Sequence, residues 1–176
     1  LVTAFEDRPQ TARGQWAYQA LIAIHRLIRR DLAAVERLAA AVLDGLPTAE
    51  LHEELATLKS DGTVWQLQVS CLRHCEFVHL HHHMEDIDFF AELEKTNPAI
   101  RPVVQRLRAE HRAISDLLDA VEAAAQALSA DHGHDARRAV ADALDALRRH
   151  LLAHLEYEEL NVASTARRLA EVPSFG

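Results

Sequence analysis

This chain has few places where it can turn. Only five Gly and five Pro occur in 176 residues, and nearly all of them fall at Pro9 and Gly14, Gly45 and Pro47, Gly62, Pro98 and Pro102, Gly133, and Pro173. Between these points apolar residues recur with the 3.6-residue period of an amphipathic helix. The pattern predicts a first helix from Gln15 to Leu43, closed by Asp44-Gly45-Leu46-Pro47, a Gly-then-Pro stop. A short extra helix follows over 49–58, capped by Thr48 and broken by Asp61-Gly62-Thr63. The second long helix runs from Thr63 to Lys95 and stops ahead of Pro98, because proline disfavours helical geometry in the residue before it. The third starts near Ile100, accepts Pro102 in its first turn and reaches Ala130. After a turn over 131–135 the fourth runs from Ala136 to Leu169. A hydrophobic content of 49%, largely Ala and Leu, with only 5% aromatic residues, favours helices over a sandwich or barrel. The expected fold is all-α: one domain over 15–170, an up-down-up-down four-helix bundle, with tails at 1–14 and 171–176.

The net charge of −8, with His neutral, argues against nucleic acid and anionic membrane as partners. No run of about 20 apolar residues, the length a spanning helix needs, is present. Residues 1–14 lack the charged-then-apolar pattern of a leader, so a cytoplasmic location is expected. Cys71 and Cys75 stand one helical turn apart, a spacing poorly suited to a disulfide. They read as two small buried residues in a reducing compartment, with a redox or metal-thiolate role beside His74 as the weaker alternative. Ala-rich outer faces on the fourth helix leave room for a homodimer.

Twelve His are present, most densely between Cys71 and Phe90. Positions i and i+4 of a helix share a face, so His81 and Glu85 point the same way, as do His154 and Glu158. A lone H-x-x-x-E occurs readily by chance on a solvated face; two such pairs on apolar faces, joined by inward His25 and His111, are a different matter. At 1.5 Å rise per residue, His25, His81, His111 and His154 lie at matching distances from the turns that join their helices. Counting therefore brings all four to one level. The alternative, four unrelated core histidines, would require a hydrogen-bond partner for each inside a Leu/Ala core.

Carboxylates and imidazoles projecting inward from four helices are how di-iron and di-manganese bundles are built. The six donors His25, His81, Glu85, His111, His154 and Glu158 exceed one closed zinc site. They suit two irons, with Fe/Mn or Zn the poorer fits. Glu85 and Glu158 can bridge the two ions, while His25 with His81 and His111 with His154 cap them. An oxide or hydroxide bridge would take up remaining charge. Positions left open on each ion would admit O2 or peroxide.

Other residues carry weaker signals. His74, two turns before His81, reads as a hydrogen-bonded core residue rather than a spare ligand or proton shuttle. His82 borders the site and reads as a neighbour of the ligands. Asp88 is a candidate for orienting a ligating ring through its free N–H. Tyr18 and Tyr157 read as packing residues, with a radical or proton relay as the alternative. Arg29, if it faces inward, needs a buried acidic partner. His79 and His83 point elsewhere, and His52, His132 and His134 lie in connectors.

Together these motifs resemble the hemerythrin family, in particular the hemerythrin-like HHE cation-binding proteins of bacteria. The matching pieces are His25-Arg-Leu-Ile, His81-His82-His83-Met84-Glu85-Asp86 followed by Phe89-Phe90, Glu110-His111, and His154-Leu-Glu-Tyr-Glu158-Glu159. The resemblance spans about Ala17 to Leu160. It implies a four-helix bundle around a non-haem di-iron centre, oxo- or hydroxo-bridged, that carries O2, senses oxygen or iron, responds to nitric oxide or decomposes peroxide. The chain departs from the oxygen carriers, which have a His pair on the third helix. The positions four residues either side of His111 are Leu107 and Ser115. The last acidic ligand also comes as H-x-x-x-E rather than at the carriers' longer spacing to Asp. His150, one turn before His154, is a candidate for the missing fifth imidazole, though a cavity-lining role suits it better. A missing imidazole leaves one iron more open. That favours an oxidoreductase acting on O2 or hydrogen peroxide, catalase-like, over reversible carriage. The alternative is a non-catalytic module that binds or senses O2, nitric oxide or iron; a bundle with adventitious zinc is a distant third.

Overall fold

The computed structural model describes residues 5–43, 53–171 and 173. Among them every regular element is helical. A 3-10 turn at Phe5–Asp7 precedes α1 (Ala12–Leu43). Then come α2 (Glu53–Met84), a π-helical segment (Glu85–Phe89), α3 (Phe90–Thr96), a second 3-10 turn (Pro98–Ile100), α4 (Arg101–Ala130) and α5 (His134–Ala166). The fold is an all-α helical bundle, as expected.

Three boundaries differ from the expectation, each for a physical reason. The break at Asp61-Gly62-Thr63 does not occur: α2 runs unbroken from Glu53 through Gly62, so no separate short helix ends there, and 49–52 lie outside the described residues. One Gly in a helix interior costs only about 0.5–1 kcal/mol relative to Ala, too little to stop a 32-residue helix. The second long helix is not uniform. The turn over Glu85–Phe89 is π-helical, and a π turn takes up one residue more than an α turn, which sets the phase of the buried Phe90 and Leu93 beyond it. Finally, 5–14 is not a loose tail. Arg168 donates to the carbonyls of Glu6 and Arg8, each at 2.8 Å, the Ser164 hydroxyl donates to Glu6 Oε2 at 2.8 Å, and Thr11 Oγ1 bonds the Leu169 carbonyl. With its start anchored, α1 begins at Ala12.

Contacts group the chain into two compact units, and each long helix contributes to both. The first unit comprises 1–27, 78–113 and 151–176. Its core packs Ala17 and Leu21 of α1 with Phe89, Phe90, Leu93, Val104, Leu107 and Val162. Asn97, at the end of α3, accepts from the Ala99 N–H and donates to Thr165, closing the turn into α4. The second unit comprises 28–77 and 114–150, with an apolar interior that includes Leu32, Leu67, Leu118 and Leu144. Cys71 and Cys75 are buried free thiols in this unit, and Cys75 Sγ approaches the Leu118 carbonyl at 3.7 Å. Burial pushes both thiols up to about 12, so they stay protonated and are poor redox or metal-thiolate groups.

No described helix is long and apolar enough to cross a membrane.

Candidate metal centre

All six residues singled out for metal lie in the first unit. His25 comes from α1, His81 from the last turn of α2, Glu85 from the start of the π segment, His111 from α4, and His154 and Glu158 from α5. Each is at most 4% exposed. The structure brings them together: the His25 and His81 rings meet at 5.1 Å between centroids and the His111 and His154 rings at 4.8 Å.

Three of the four imidazoles have the same arrangement. His25 Nδ1–H donates to Glu159 Oε1 at 2.9 Å, His111 Nδ1–H to Asp86 Oδ1 at 3.1 Å, and His154 Nδ1–H to Glu110 Oε2 at 3.0 Å. Holding the proton on Nδ1 turns the Nε2 lone pair of each ring toward the centre. Carboxylates fix metal-binding imidazoles in this way. Two of these carboxylates are braced in turn: Arg106 donates to Glu110 at 2.7 Å, and Arg108 reaches Asp86 at 3.4 Å.

Asp88 does not fill this role; the orienting carboxylates are Asp86, Glu110 and Glu159. Each directly precedes or follows a ligand candidate in the chain, a cue the sequence carried, but one that helical phase alone could not resolve into a contact.

Glu85 stands between two groups of nitrogens. Its Oε1 lies 3.2 Å from His81 Nε2 and 3.8 Å from His25 Nε2, while its Oε2 lies 3.5 Å from His111 Nε2. Glu158 Oε2 lies 3.5 Å from His25 Nε2 and 3.8 Å from His154 Nε2. Each carboxylate thus reaches imidazoles of both pairs, His25/His81 and His111/His154.

The donor atoms have too few protein partners. Among the described residues, Nε2 of His111 and of His154 are buried without a hydrogen-bond partner, and the buried oxygens of Glu85 and Glu158 have at most one another. Buried polar groups are nearly always paired, and leaving one unpaired costs about 1–3 kcal/mol. Charges respond to the same crowding. Burial, then the neighbouring Glu158 and Asp86, pushes Glu85 well above the usual carboxylate range. Burial, then Glu159, Asp86 and Glu110, pushes Glu158 up to about 8. Burial, then the neighbouring imidazoles, holds His81 well below its ordinary value. Burial and the His111 ring bring His154 down to about 4, against the opposing pull of Glu110. Burial also pushes the Glu110 carboxyl up, but hydrogen bonds from Arg106 and His154 outweigh it and hold that group below its usual value.

A divalent cation would relieve all of these strains together, by accepting the lone pairs and neutralising the carboxylates. His25 Nε2 and His81 Nε2 stand 3.1 Å apart. Two nitrogens bound at about 2.1 Å and at right angles on one ion would have about that separation. The donor set fits metal.

The remaining candidates fall outside this set in different ways. His82 is buried at 5% exposure and stacks on His111, with ring centroids 4.0 Å apart and planes 9° from parallel. His150 is exposed. Tyr18 is half-buried; its hydroxyl donates to the Glu159 carbonyl at 3.3 Å and Arg167 covers its ring. Tyr157 lies under the Arg106 guanidinium at 3.6 Å. Both tyrosines pack against the core of the first unit. Arg29 is half-buried. His83, His132 and His134 are exposed, His79 is half-buried, and His52 lies outside the described residues. His74 is buried in the second unit.

By distance alone, donors that could hold a metal ion form two overlapping groups among the described residues: His25, His81 and Glu85, and Glu85, His111 and His154 with His82 added; Glu158 is in neither. Within each, the donor atoms lie within 4.8 Å of one another. A family model described as hemerythrin HHE cation binding domain matches residues 16–166. No curated protein and no solved structure matches the chain.

Proposed function

Since the chain belongs to the family of hemerythrin HHE cation-binding domains, we propose that it holds two iron ions between His25, His81, Glu85, His111, His154 and Glu158. In this reading it binds and reacts with O2 or hydrogen peroxide there, as a catalase-like oxidoreductase. The observation that carries the reading is the division of Glu85, one oxygen toward His25 and His81 and the other toward His111. A single closed zinc site would not need a carboxylate shared between two sets of nitrogens.

Iron bound there would supply electron transfer to and from O2 or peroxide. The protein's own contribution is positional. Asp86, Glu110 and Glu159 hold three rings with Nε2 inward. Phe89, Phe90 and Leu107 are fully buried in the apolar core of the same unit. A dry interior strengthens every electrostatic interaction within it.

The test is anaerobic loading with ferrous salt, metal counting and optical spectra, followed by a hydrogen peroxide consumption assay. Two irons per chain, with peroxide converted to O2 and water, is the expected result. Two irons with a spectral response to O2 or nitric oxide but no turnover would instead make the protein a binding or sensing module. One zinc, or no metal, would sink both readings.

A further inference from the structure

We infer that the two ion positions are unequal: the one between His25 and His81 binds iron more weakly and gives it up first, because His81 is the one ring of the four without an outer hydrogen-bond partner. The inference rests on the di-iron reading and deepens it.

His25, His111 and His154 each bond a carboxylate through Nδ1, Glu159 at 2.9 Å, Asp86 at 3.1 Å and Glu110 at 3.0 Å. His81 is as deeply buried, at 2% exposure, yet its Nδ1 has no hydrogen-bond partner among the described residues. Its Nε2 faces the centre, 3.1 Å from His25 Nε2 and 3.2 Å from Glu85 Oε1. The unpartnered atom is therefore on the side of the ring away from the ion. Asp86, Glu110 and Glu159 are each engaged by a different ring.

A neutral imidazole that gives its Nε2 lone pair to a cation carries its proton on Nδ1. For three rings that proton meets a carboxylate, which fixes the ring and raises the basicity of the donor nitrogen. For His81 it meets no acceptor, and a buried N–H left unpaired costs free energy for as long as the ion is held. The position between His111 and His154 is backed on both rings, and the backing is itself braced. Arg106 donates to Glu110 at 2.7 Å and Arg108 to Asp86 at 3.4 Å. His82 does not alter the comparison. Its ring lies parallel to His111, with centroids 4.0 Å apart and planes 9° from parallel, and two imidazoles on one ion must each hold it in their own plane.

An ion between His25 and His81 thus exchanges at ferrous concentrations that leave the other position filled. The chain has a one-ion form and a two-ion form, and free ferrous ion selects between them.

The test is anaerobic titration of the full chain with ferrous salt in competition with a ferrous chelator, which resolves two binding steps. The expected gap between their affinities is about 10–100-fold, the usual effect of an outer partner on metal binding. Two variants assign the steps. Glu110→Ala removes the partner of His154 and should weaken the tighter step, narrowing the gap. Glu159→Ala removes the partner of His25 and should weaken the looser step, widening it. Circular dichroism checks folding; if either alanine variant does not fold, the glutamine variant at the same position replaces it, with the same outcomes. Two equal steps in the wild type, or variants that leave the gap unchanged or move it the other way, overturn the inference while leaving the two irons in place. A wild-type protein that takes fewer than two irons overturns the di-iron reading and this inference with it.

Discussion

His74 shows what an imidazole costs where no other donors converge on it. It is 4% exposed, and both ring nitrogens lack a hydrogen-bond partner among the described residues. The expectation of a hydrogen-bonded core His therefore fails. Burial lowers its pKa below the usual 6.5, partly opposed by Asp31. Replacing it with an apolar side chain of similar size removes an unsatisfied group, so His74→Leu should stabilise the protein by about 1–3 kcal/mol in urea titrations. The pH dependence has a definite sign. Because the folded-state pKa lies below the unfolded one, the unfolded chain takes up more protons as pH falls below about 6.5. The stability present above that pH is lost on acidification, and His74→Leu should lose less of it. A variant that is destabilised, or whose acid sensitivity is unchanged, would show that the ring is satisfied in solution.

At the scale of elements, the π segment matters most. Glu85 Oε2 lies 3.5 Å from His111 Nε2, and Asp86 Oδ1 lies 3.1 Å from His111 Nδ1. Two consecutive residues thus hold opposite sides of one ring. Consecutive residues of an α-helix are turned about 100° apart; the wider π turn brings them closer in angle, and such bulges often lie at functional sites. Ile87, 51% exposed, is the residue the segment can spare. Deleting it should return 85–89 to α-helical register while leaving the far-UV circular dichroism nearly unchanged. Iron per chain should fall, because Asp86 turns away from His111. Retention of full iron content would show that the extra residue serves packing of Phe89 and Phe90 rather than the site.

At the scale of the whole molecule, the first unit is tied at its ends. Gly14 was read as part of a tail; it lies inside α1, and a Cβ there would stand 2.5 Å from the main-chain carbon and oxygen of Arg167. Helix propensity alone favours Gly14→Ala by about 1 kcal/mol. Overpacking against backbone costs about 1–3 kcal/mol, so the variant should melt at a lower temperature than wild type. A raised melting temperature would mean that α1 and the end of α5 separate more easily than the structure shows.

The same contrast marks how far the chain could be read unaided. Helix periodicity, the Pro98 stop and the arrival of His25, His81, His111 and His154 at one level follow from local geometry, since rise per residue and turn positions are properties of the chain itself. Which neighbour of a ligand turns inward does not: His82 is buried and His150 is exposed, although both flank a ligand candidate. That choice, like the selection of Asp86, Glu110 and Glu159 over Asp88 and the extra residue in the π segment, depends on how each helix is rotated against the others. Side-chain packing in the assembled core sets that rotation.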